Sequence, residues 1–554
     1  MNVPAPIRLG PAAAGRCRRR IHLDHAADAP RDERSTPDAG VRMRFGDMQS
    51  HVDRVLAGLP AAVMGWTPES GDRPRIVRPP MLRSATRLGA PDFLLADETG
   101  YLPVIIRGHR TLEPVGEVEV STVADPFTVT TDRTRRRRKH PMDLLQLAHH
   151  RALLTELGLA STDARGGVIG RGGPAGPEAG PANDDGQLIV WHDLSVVAAE
   201  YADRFADRLA VASAARAGGE LALPSRIAEC RRCPWWPVCS AELEAAHDIS
   251  LLAAGSDVTT LQQAGFFTLD DLASGPSRVV KGLPLTSIPP AEARVRAKAR
   301  LHGLPMVRRT EDAAAPSADV EMDVDMESYL DQGAYLWGTL LSGADIGFDR
   351  VYLPFVAFDD PAGEESALGE VEGVNFAAFW QYLTMVRKAC EARDLTFAAY
   401  CWSRTAEERW LYSTPRRFPG VPGMPTVAEI SAFCSSEQWV DLYAEVRSRF
   451  VVPGSMRLKA IAPVAGFRWR DPEPGGENSM AWYRAAVGAD ELPGEPDPAV
   501  RLSMRQRLLD YNEDDVRATA AIRHWMRDGA LALPTIGQLL AGTEQQQPAR
   551  HGDV

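Results

Sequence analysis

Two pairs of side chains in the C-terminal half have the types and the spacing that divalent metal ions require. Asp325 and Glu327 end a run that predicts a strand, so their carboxylates should lie on the same face of it. Tyr511 and Asp515 are four residues apart in a helical pattern and should share one helical face. Carboxylates placed in this way can hold two Mg²⁺ or Mn²⁺ ions about 4 Å apart, which activate water for hydrolysis. By geometry alone, Asp323 and Asp325 would form an equally suitable pair.

The patterns around these residues predict the elements that position them. A strand is predicted at Val320–Glu327, and two further strands at Tyr335–Leu341 and Val351–Phe355. Helices follow from about Val374, and Tyr511–Asp515 should open a late amphipathic helix. Strands followed by alternating helices and strands are typical of an α/β domain with a mixed sheet.

An Asp-x-Glu pair on a strand and a Tyr-x-x-x-Asp pair on a late helix, in this order, resemble the DEDD exonucleases of the RNase H-like fold, in the subgroup that carries the tyrosine. Ser328, a small hydroxyl residue after the first pair, also matches this family and favours Asp325 with Glu327 over Asp323. The resemblance implies a two-metal 3′–5′ exonuclease in which Tyr511 orients the attacking water. It assigns the binding of Mg²⁺ or Mn²⁺ to Asp325, Glu327, Glu407 and Asp515.

The middle acid of that set comes after a strand-like run, Phe397–Trp402, in a helix that begins near Thr405. Glu407 matches the acid that follows this strand in the predicted RNase H-like exonucleases fused to RecB-like domains, and Glu408 is the alternative. The segments 439–442 and 458–463 also resemble that subgroup. We expect Asp441 to have a positioning role rather than to bind metal.

Three of the seven cysteines are spaced for a metal centre. Cys230, Cys233 and Cys239 lie in the turn-rich segment CRRCPWWPVC, so their thiolates can converge on one metal, although a closed site generally needs four ligands. With Cys17 far upstream, the arrangement resembles the RecB-like nucleases that carry an iron–sulfur cluster. In that family one N-terminal cysteine joins three near the end of the domain. The resemblance implies a [4Fe–4S] cluster, with structural Zn²⁺ as the alternative.

The segment between these cysteines, roughly residues 15 to 245, also resembles a RecB-like PD-(D/E)XK nuclease domain. Asp92 fits the metal-binding Asp of this family, and His51 resembles its upstream metal-binding His. The acid-x-Lys pair is lost, because Ile105 and Arg107 occupy its positions. The family's Gln-x-x-x-Tyr helix is represented by Gln146 and His150. A site without its second carboxylate binds Mg²⁺ weakly, so we expect a degenerate domain that binds DNA, with Arg107 holding a phosphate.

Two segments could contact nucleic acid. The basic run between Arg133 and Lys139 could bind phosphates through Arg135, Arg136, Arg137, Arg138 and Lys139. Such a run is also common in a solvated loop. The segment Val258–Ala273, in which short helical patterns flank Gly265, resembles a helix-hairpin-helix module whose turn amides contact a phosphate backbone. A packing hairpin without a ligand is the alternative.

Length and composition limit the class of protein. The chain has 554 residues, 44% of them hydrophobic and 25% charged, which is typical of several globular domains and excludes wholesale disorder. No apolar stretch is long enough to span a membrane, and no signal-peptide pattern precedes Arg20, so we expect a cytoplasmic location. The net charge of −12 argues against a nucleic-acid coat protein but leaves nucleic-acid enzymes open.

The sequence as a whole predicts an α/β multidomain nuclease that resembles the bacterial RecB-like putative nucleases. The expected divisions are a restriction-endonuclease-like RecB domain closed by four cysteines, a helix-hairpin-helix-like segment, a linker, an RNase H-like exonuclease domain and a disordered tail. Their boundaries are 1–247, 248–307, 308–319, 320–541 and 542–554.

The expected substrate is DNA, with RNA open because no motif that reads bases or 2′-hydroxyls is recognisable. No G-x-x-x-x-G-K-[ST] motif occurs, so a helicase would have to be a partner in trans. Two alternatives remain: a non-catalytic nucleic-acid-binding scaffold with decayed sites, and an RNA-processing nuclease with structural zinc.

Overall fold

The computed structural model describes residues 6–36, 39–60, 63–64, 66–68, 71–171, 188–330, 333–358, 369–489 and 497–541. The chain divides into two units, and each is described by itself. Unit 1 comprises Met1–Pro37 and Val41–Glu244, and unit 2 comprises Asp38–Gly40 and Ala245–Val554. The tail expected at 542–554 lies outside the described residues. None of the described helices is both long and apolar enough for a membrane span.

Unit 1 mixes short strands with long helices. Its α-helices are α1 Arg18–His25, α2 Ala39–Ala57, α3 Pro141–Glu156, α4 Ser195–Arg216 and α5 Trp236–Ala245. Its strands are β1 Val63–Met64, β2 Ile76–Arg78, β3 Leu82–Arg83, β4 Leu88–Gly89, β5 Phe93–Ala96, β6 Tyr101–Ile106, β7 Leu112–Pro114, β8 Val118–Thr122, β9 Thr130–Asp132, β10 Arg135–Arg137, β11 Arg165–Ile169 and β12 Leu188–Asp193.

The main sheet of unit 1 has the strand order β1-β2-β5-β6-β11-β12-β8-β9. Strands β5 and β6 form a hairpin, because they pair antiparallel across the Asp97 turn, whose carboxylate accepts the Thr99 and Gly100 N–H groups. Strand β6 is buried along its length and pairs parallel with β11. Its two faces pack on different cores: Val104 and Ile106 pack with α2, and Ile105 packs with α3. A strand apolar on both faces is expected in the middle of a covered sheet.

Unit 2 begins with short helices and continues as an α/β domain. Its α-helices are α6 Ser256–Gln263, α7 Leu269–Ser274, α8 Ser277–Lys281, α9 Ala293–Leu301, α10 Gly369–Glu391, α11 Arg404–Arg417, α12 Val427–Cys434, α13 Leu442–Arg449, α14 Leu458–Ile461, α15 Gly476–Val487, α16 Pro498–Arg527 and α17 Ile536–Ala541. Its strands are β13 Val307–Arg308, β14 Val320–Tyr329, β15 Gly333–Gly343, β16 Tyr352–Val356, β17 Phe397–Cys401, β18 Trp439–Asp441 and β19 Phe450–Val451.

The five-stranded sheet of unit 2 has the order β16-β15-β14-β17-β18. Strand β14 is central: it pairs antiparallel with β15 and parallel with β17, which itself pairs parallel with β18. Met322 and Val324 point from β14 into a core that also contains Trp337 and Phe379, whose rings stack with centroids 4.7 Å apart. The three predicted strands and the mixed sheet are confirmed. The opposite face of β14 carries acidic side chains.

Helix α16 begins earlier than predicted. The sequence analysis expects Tyr511–Asp515 to open this helix, but the structure has thirty helical residues from Pro498 to Arg527. Asp497 caps the helix by accepting the N–H groups of Ala499 and Val500, and Pro498 occupies the first helical position. Tyr511 and Asp515 therefore lie in the buried middle of a rigid helix rather than at its start.

The segment expected to be a linker, 308–319, is packed against unit 2. Strand β13 pairs with β19, and the buried Arg308 guanidinium donates from Nε to the Leu533 carbonyl at 2.8 Å. Ala313 and Ala315 are also buried, in a core shared with α13 and α16. Composition alone predicts a flexible linker here, but Ala313 and Ala315 are small enough to pack closely against α13 and α16.

The helical pair around Gly265 is confirmed as local structure. Helices α6 and α7 flank Gly265, which has a φ of +88° that favours glycine. Thr268 caps α7 by accepting the Asp271 N–H at 3.1 Å, and the Asp271 carboxylate accepts the Thr268 N–H at 2.9 Å. A contact of this hairpin with phosphate stays a prediction.

Candidate active site

Strand β14 carries a row of four acidic side chains on one face. Alternation along the strand places them opposite the buried apolar residues of the same strand, on the side that faces α16. The four residues are Glu321, Asp323, Asp325 and Glu327. Because all four are on a central strand, they must be neutralised by partners or by bound cations.

Two arginines of α16 neutralise the first half of this row. The fully buried Arg523 guanidinium donates from Nη2 to Asp323 Oδ2 at 2.7 Å and also bonds to Glu321. Arg527 forms a second ion pair with Glu321. These contacts raise the pKa of Arg523 and lower that of Glu321. Asp323, the geometric alternative considered for metal binding, is therefore held in a structural ion pair.

The second half of the row lacks such arginines and meets further acids instead. Asp325 and Glu327 have carboxylate oxygens that lie, together with one from Asp515 on α16, within 4.8 Å of one another. None of the ion pairs among the described residues includes Asp325 or Glu327. Burial and the neighbouring carboxylates raise the pKa of Asp325 well above its usual value and that of Glu327 to about 8.

Glu407, the fourth residue of α11, supplies a further carboxylate near these acids, although it does not belong to the set whose oxygens lie within 4.8 Å of one another. It is buried, and within the described part of the chain its Oε2 has no hydrogen-bond partner. Burial and the charges of Asp441, Glu408 and Glu327 raise its pKa to about 8, and its own charge raises the pKa of Asp325. Glu408, the alternative, is more exposed and lies 3.8 Å from Arg404. Of the two acids of this helix, Glu407 rather than Glu408 is thus the one whose charge acts on Asp325.

Two polar side chains orient the acids of β14, and sequence reasoning missed both. Asn512 donates from Nδ2 to Asp325 Oδ2 at 2.8 Å, and its own amide oxygen accepts the Tyr352 hydroxyl at 2.8 Å. The Ser479 hydroxyl donates to Glu327 Oε2 at 2.9 Å. Fixing a carboxylate by a second hydrogen bond is typical of metal sites. Asn512 lies next to Tyr511, but nothing in the sequence separates it from the surrounding polar residues.

Asp515 has two donors, Lys459 and Trp469, to which the sequence assigns no role, although Lys459 lies in the segment 458–463 that resembles the exonuclease subgroup. Lys459 Nζ lies 3.1 and 3.0 Å from its two oxygens and 2.6 Å from the Tyr511 hydroxyl. Trp469 Nε1 donates to Asp515 Oδ1 at 2.6 Å. Tyr511 and Asp515 are on one helical face, as predicted, and both are buried.

Asp441 lies at the end of β18 and is not part of the acid cluster. Its Oδ1 accepts the Ala444 N–H at 2.9 Å, which caps α13, and its Oδ2 accepts the Arg404 N–H at 3.3 Å, at the start of α11. These bonds connect α13 to the helix that carries Glu407, which is consistent with a positioning role.

The donor set suits Mg²⁺ or Mn²⁺. These ions prefer carboxylate oxygens. Glu327, Glu407 and Asp515 are buried and Asp325 is half-buried, and all four have raised pKa values, so a cation that replaces their protons stabilises them. A family model described as RNase_H superfamily matches residues 413–527, which include Asp441, Lys459, Tyr511 and Asp515. Unit 2 contains an RNase H-like domain. Such a domain indicates nuclease-type activity in general, with a nucleic acid as substrate and divalent metal ions as cofactors.

The match does not extend over the whole chain. The strand with Asp325 and Glu327 precedes the matched residues, and unit 1 lies outside them. No curated protein matches the chain, and neither does any solved structure. The RNase H-like assignment of unit 2 therefore rests on the family model together with the geometry of the acid cluster.

The N-terminal candidate site is arranged differently. Asp92 Oδ2 accepts the Ile106 N–H at 2.7 Å, and burial raises the pKa of Asp92. Ile105 is buried in the core beneath α3, so no carboxylate stands at this position. His51 on α2 is buried as well. Among the described side chains, no set of three potential metal ligands includes Asp92 or His51.

The Arg107 guanidinium, which the sequence predicts to hold a phosphate, bonds to groups of its own unit. Its Nε donates to Asp143 Oδ1 at 3.1 Å, Nη2 donates to Gln146 Oε1 at 2.8 Å, and Nη1 donates to the Ile106 carbonyl at 2.7 Å. All three nitrogens thus have internal partners. His150, which replaces the family's tyrosine, is buried, and burial lowers its pKa to about 3.

A second set of potential metal ligands lies beside Arg107. His109, His140 and Asp143 have ligand atoms within 4.8 Å of one another. However, Asp143 is already bonded to Arg107 and accepts from His109 Nε2 at 2.8 Å, and the two imidazoles are stacked with centroids 3.8 Å apart. Two stacked rings whose planes differ by 29° direct their lone pairs poorly at one ion, and Asp143 already has two partners, so we interpret this set as a polar cluster.

The basic run is partly a strand rather than a solvated loop. Arg135–Arg137 form β10, which pairs with β7. Three of the predicted phosphate contacts have internal partners: Arg135 with Asp132, Arg136 with Glu113 and Arg137 with the Trp191 carbonyl. Arg138 and Lys139 are exposed and are the members of the run best placed for phosphate.

The structure brings the four predicted cysteines together. Cys17, Cys230, Cys233 and Cys239 line one small cavity, with Arg19, Arg20 and Glu229 among its other walls. Glu229 accepts the Cys17 N–H at 2.7 Å, which ties the start of α1 to the cysteine-rich turn. Burial raises the pKa of Cys239 to about 12 and also raises those of Cys230 and Cys233. A bound metal would offset this effect by stabilising the thiolates.

Proposed function

We propose that unit 2 is a metal-dependent 3′–5′ exonuclease that hydrolyses the phosphodiester bonds of single-stranded DNA. The observation that carries this proposal is the convergence of Asp325, Glu327 and Asp515 without arginine partners. Two residues away on the same strand, Asp323 has such a partner. The polarity and the preference for DNA come from the resemblance to the tyrosine-bearing DEDD exonucleases.

In the proposed reaction, different residues bind the metal ions, orient the metal ligands and orient the attacking water. Asp325, Glu327, Glu407 and Asp515 would hold Mg²⁺ or Mn²⁺. When bound, these ions lower the pKa of a water molecule and stabilise the charge of the leaving 3′ oxygen. Asn512 and Ser479 keep the carboxylates of Asp325 and Glu327 in place, and the Tyr511 hydroxyl orients the water for in-line attack.

The titration of the acids supports this role. Glu327 and Glu407 each have a pKa near 8 because several carboxylates are buried together. At neutral pH such a cluster holds protons unless cations displace them, so ion binding should release protons and increase stability. A purely structural cluster would be expected to contain paired arginines, as Glu321 and Asp323 do.

For unit 1 we propose a RecB-like domain that has lost its nuclease site and binds DNA. The loss is supported by Ile105 in place of the acid and by the internal contacts of Arg107. The exposed Arg138 and Lys139, and the hairpin around Gly265 in unit 2, are the proposed phosphate contacts.

A [4Fe–4S] cluster is the proposed occupant of the cysteine cavity. Tetrahedral Zn²⁺, with Zn–S bonds of about 2.3 Å, would hold its sulfur atoms less than about 4 Å apart. Among the described residues, no three of the cysteine sulfur atoms lie within 4.8 Å of one another. Wider spacing favours a larger iron–sulfur cluster, whose role here would be to hold the two ends of unit 1 together.

The proposed activity is tested with anaerobically purified protein, 5′-labelled single-stranded DNA and Mn²⁺. Wild type should shorten the strand stepwise, and Asp515→Asn should not. Asp510→Asn is a matched control, because Asp510 lies on the same helix with a side chain 43% exposed and outside the cluster. It should behave as wild type.

Two other results would redirect the proposal. Degradation that survives Asp515→Asn would move the chemistry to unit 1 and show that its site is active. If neither DNA nor RNA is degraded, the non-catalytic scaffold becomes the better explanation. Degradation of RNA alone by a protein that contains zinc would favour the RNA-processing nuclease.

A further inference from the structure

Lys459 is the basic side chain in contact with the acid cluster, and the proposed mechanism does not use it. Its helix, α14, has only four residues, but the Leu458 and Ile461 side chains anchor it in a core shared with α16. The Lys459 side chain extends from this anchor toward Asp515 and Tyr511 and is about one quarter exposed. The backbone of Lys459 is therefore fixed, but its four-carbon side chain is flexible, so the ammonium group can move away from a partner without any movement of the helix.

The contacts of Lys459 use its full donor capacity. An ammonium group has three N–H donors. They meet the Tyr511 hydroxyl at 2.6 Å and the two Asp515 carboxylate oxygens at 3.1 and 3.0 Å. The ammonium also lies 4.4 Å from the centre of the Tyr511 ring. Both oxygens of Asp515 are therefore occupied by a resident cation, on the residue that the proposed function requires as a metal ligand.

The charge balance explains why this cation is needed. The carboxylates of Glu327, Glu407 and Asp515 are buried and that of Asp325 is half-buried, and Lys459 contributes one positive charge beside them. That charge opposes the upward shifts in the pKa values of Asp325, Glu327 and Asp515. A divalent ion bound to Asp515 would take over this task and would repel the ammonium across a few ångströms.

We propose that Lys459 is an internal counter-ion that competes with divalent ions for Asp515 and, once displaced from that carboxylate, keeps the Tyr511 hydroxyl in position. It is thus a positioning residue that also sets the metal concentration at which the site fills. Without metal, the ammonium stabilises the cluster. With metal, its bond to Tyr511 holds the group that orients the attacking water. This inference rests on the proposed function of unit 2.

The test is isothermal titration of the full-length protein with Mn²⁺ at constant pH, without nucleic acid. Lys459→Met removes the charge and keeps the length of the side chain. It should bind Mn²⁺ about 10-fold more tightly than wild type, because the competing cation is gone. Arg457→Met is the matched control, since it removes an exposed positive charge two residues away and should leave the affinity unchanged. Lys459→Arg retains the charge and should stay near the wild-type affinity.

Kinetics provide the second measurement. At saturating Mn²⁺, Lys459→Met should lower kcat for single-stranded DNA and leave KM nearly unchanged, because Tyr511 is misplaced while substrate binding is intact. Equal or weaker Mn²⁺ binding by a folded Lys459→Met, judged by its circular dichroism spectrum, would overturn the inference. A wild type that does not bind Mn²⁺ would overturn it as well.

The two proposals can fail separately. If Lys459→Met binds Mn²⁺ more tightly but wild type degrades no nucleic acid, the counter-ion role stands and the exonuclease proposal fails. If wild type is an exonuclease that needs Asp515 and the Lys459→Met affinity is unchanged, the exonuclease stands and the counter-ion role fails.

Discussion

In unit 1 the Asp143 carboxylate meets the guanidinium of Arg107, whereas in unit 2 the Asp515 carboxylate meets the ammonium of Lys459. Both contacts put a basic side chain where a metal ion would otherwise balance an acid. Arg107 also bonds to Gln146 and to a backbone carbonyl, so its planar group is fixed on several sides. Lys459 makes its bonds from a single nitrogen at the end of a flexible stem.

Arg107 and Lys459 also differ in the number of acidic side chains near them. Arg107 forms an ion pair with one carboxylate, Asp143, and its charge also acts on Asp92, so one fixed cation serves two acids. Lys459 faces a cluster in which Asp325, Glu327 and Glu407 stay without a positively charged partner among the described ion pairs. Under the two proposals, Arg107 has permanently taken the place of a metal ion, whereas Lys459 occupies the place only until a metal ion binds. The ratio of carboxylates to fixed cations distinguishes the two cases.

The largest effect should come from removing one carboxylate of the unit 2 cluster, with the corresponding substitution in unit 1 for comparison. Asp325→Asn should lower the rate of Mn²⁺-dependent DNA cleavage at least about 100-fold, because even partners of metal ligands cost about 10–100-fold when they are changed. Asp92→Asn should leave the rate unchanged, since Asp92 belongs to no potential ligand set among the described residues. The measurement is a single-turnover cleavage assay with both variants. Equal losses in the two variants would break the comparison.

A substitution in the cysteine cavity should lower the stability of unit 1 without abolishing cleavage by unit 2. Cys233→Ser should remove the visible absorbance and most of the iron of the purified protein and should lower the melting temperature of unit 1. Mn²⁺-dependent cleavage by unit 2 should persist below that temperature. Cys390→Ala, which changes a buried thiol outside the cavity, should keep the iron. Zinc in place of iron in the wild type would select the structural-zinc alternative.

Much of the C-terminal site could be predicted because its residues follow local periodicity. Alternation along β14 placed Asp325 and Glu327 together, and four-residue spacing placed Tyr511 with Asp515. The length of α16 could not be predicted from that spacing, because its start depends on the cap at Asp497, which is fourteen residues before Tyr511. Local patterns thus identify the chemical groups better than the elements that hold them.

The donors to Asp515 and Glu327 could not be predicted from local periodicity. Lys459, Trp469 and Ser479 come from α14, a loop and α15, and they reach the acids only because these segments fold back onto α16 and β14. No spacing rule connects them to Asp515 or Glu327. The internal contacts of Arg107 left a weaker signal. Asp143 and Gln146 are three residues apart on α3, a spacing that places both on the side facing one guanidinium.

The pH dependence of stability should distinguish the acids without arginine partners, such as Glu407, from Glu321 and Asp323, which have them. Glu407 has its pKa raised from 4.5 to about 8, so the folded state binds its proton more tightly than the unfolded state. The stability associated with that proton is fully present below about pH 4.5 and is lost as the pH rises through about 8. Glu407→Gln should therefore melt roughly 5 °C higher than wild type at pH 8 without metal, and should show a flatter pH profile.

Mn²⁺ provides the control for this experiment. It should raise the melting temperature of wild type more at pH 8 than at pH 5, because the carboxylates are then free of protons. The increase should be smaller in Glu407→Gln, which has lost one ligand. A wild-type melting temperature that is constant between pH 5 and pH 8 in the absence of metal would contradict a cluster of acids with raised pKa values.

The smallest effect is expected at Arg107. Arg107→Met removes the guanidinium from Asp143, but His109 still bonds to this carboxylate at 2.8 Å, so the free energy of unfolding should fall by only about 1 kcal/mol. The rate of DNA cleavage should not change, because one freed carboxylate beside Ile105 is too little to hold Mg²⁺ or Mn²⁺. Denaturant unfolding and the cleavage assay measure the two quantities. If Arg107→Met gained cleavage that persists when Asp515→Asn is added, unit 1 would hold a site that the arginine keeps closed, and Arg107 and Lys459 would have equivalent roles.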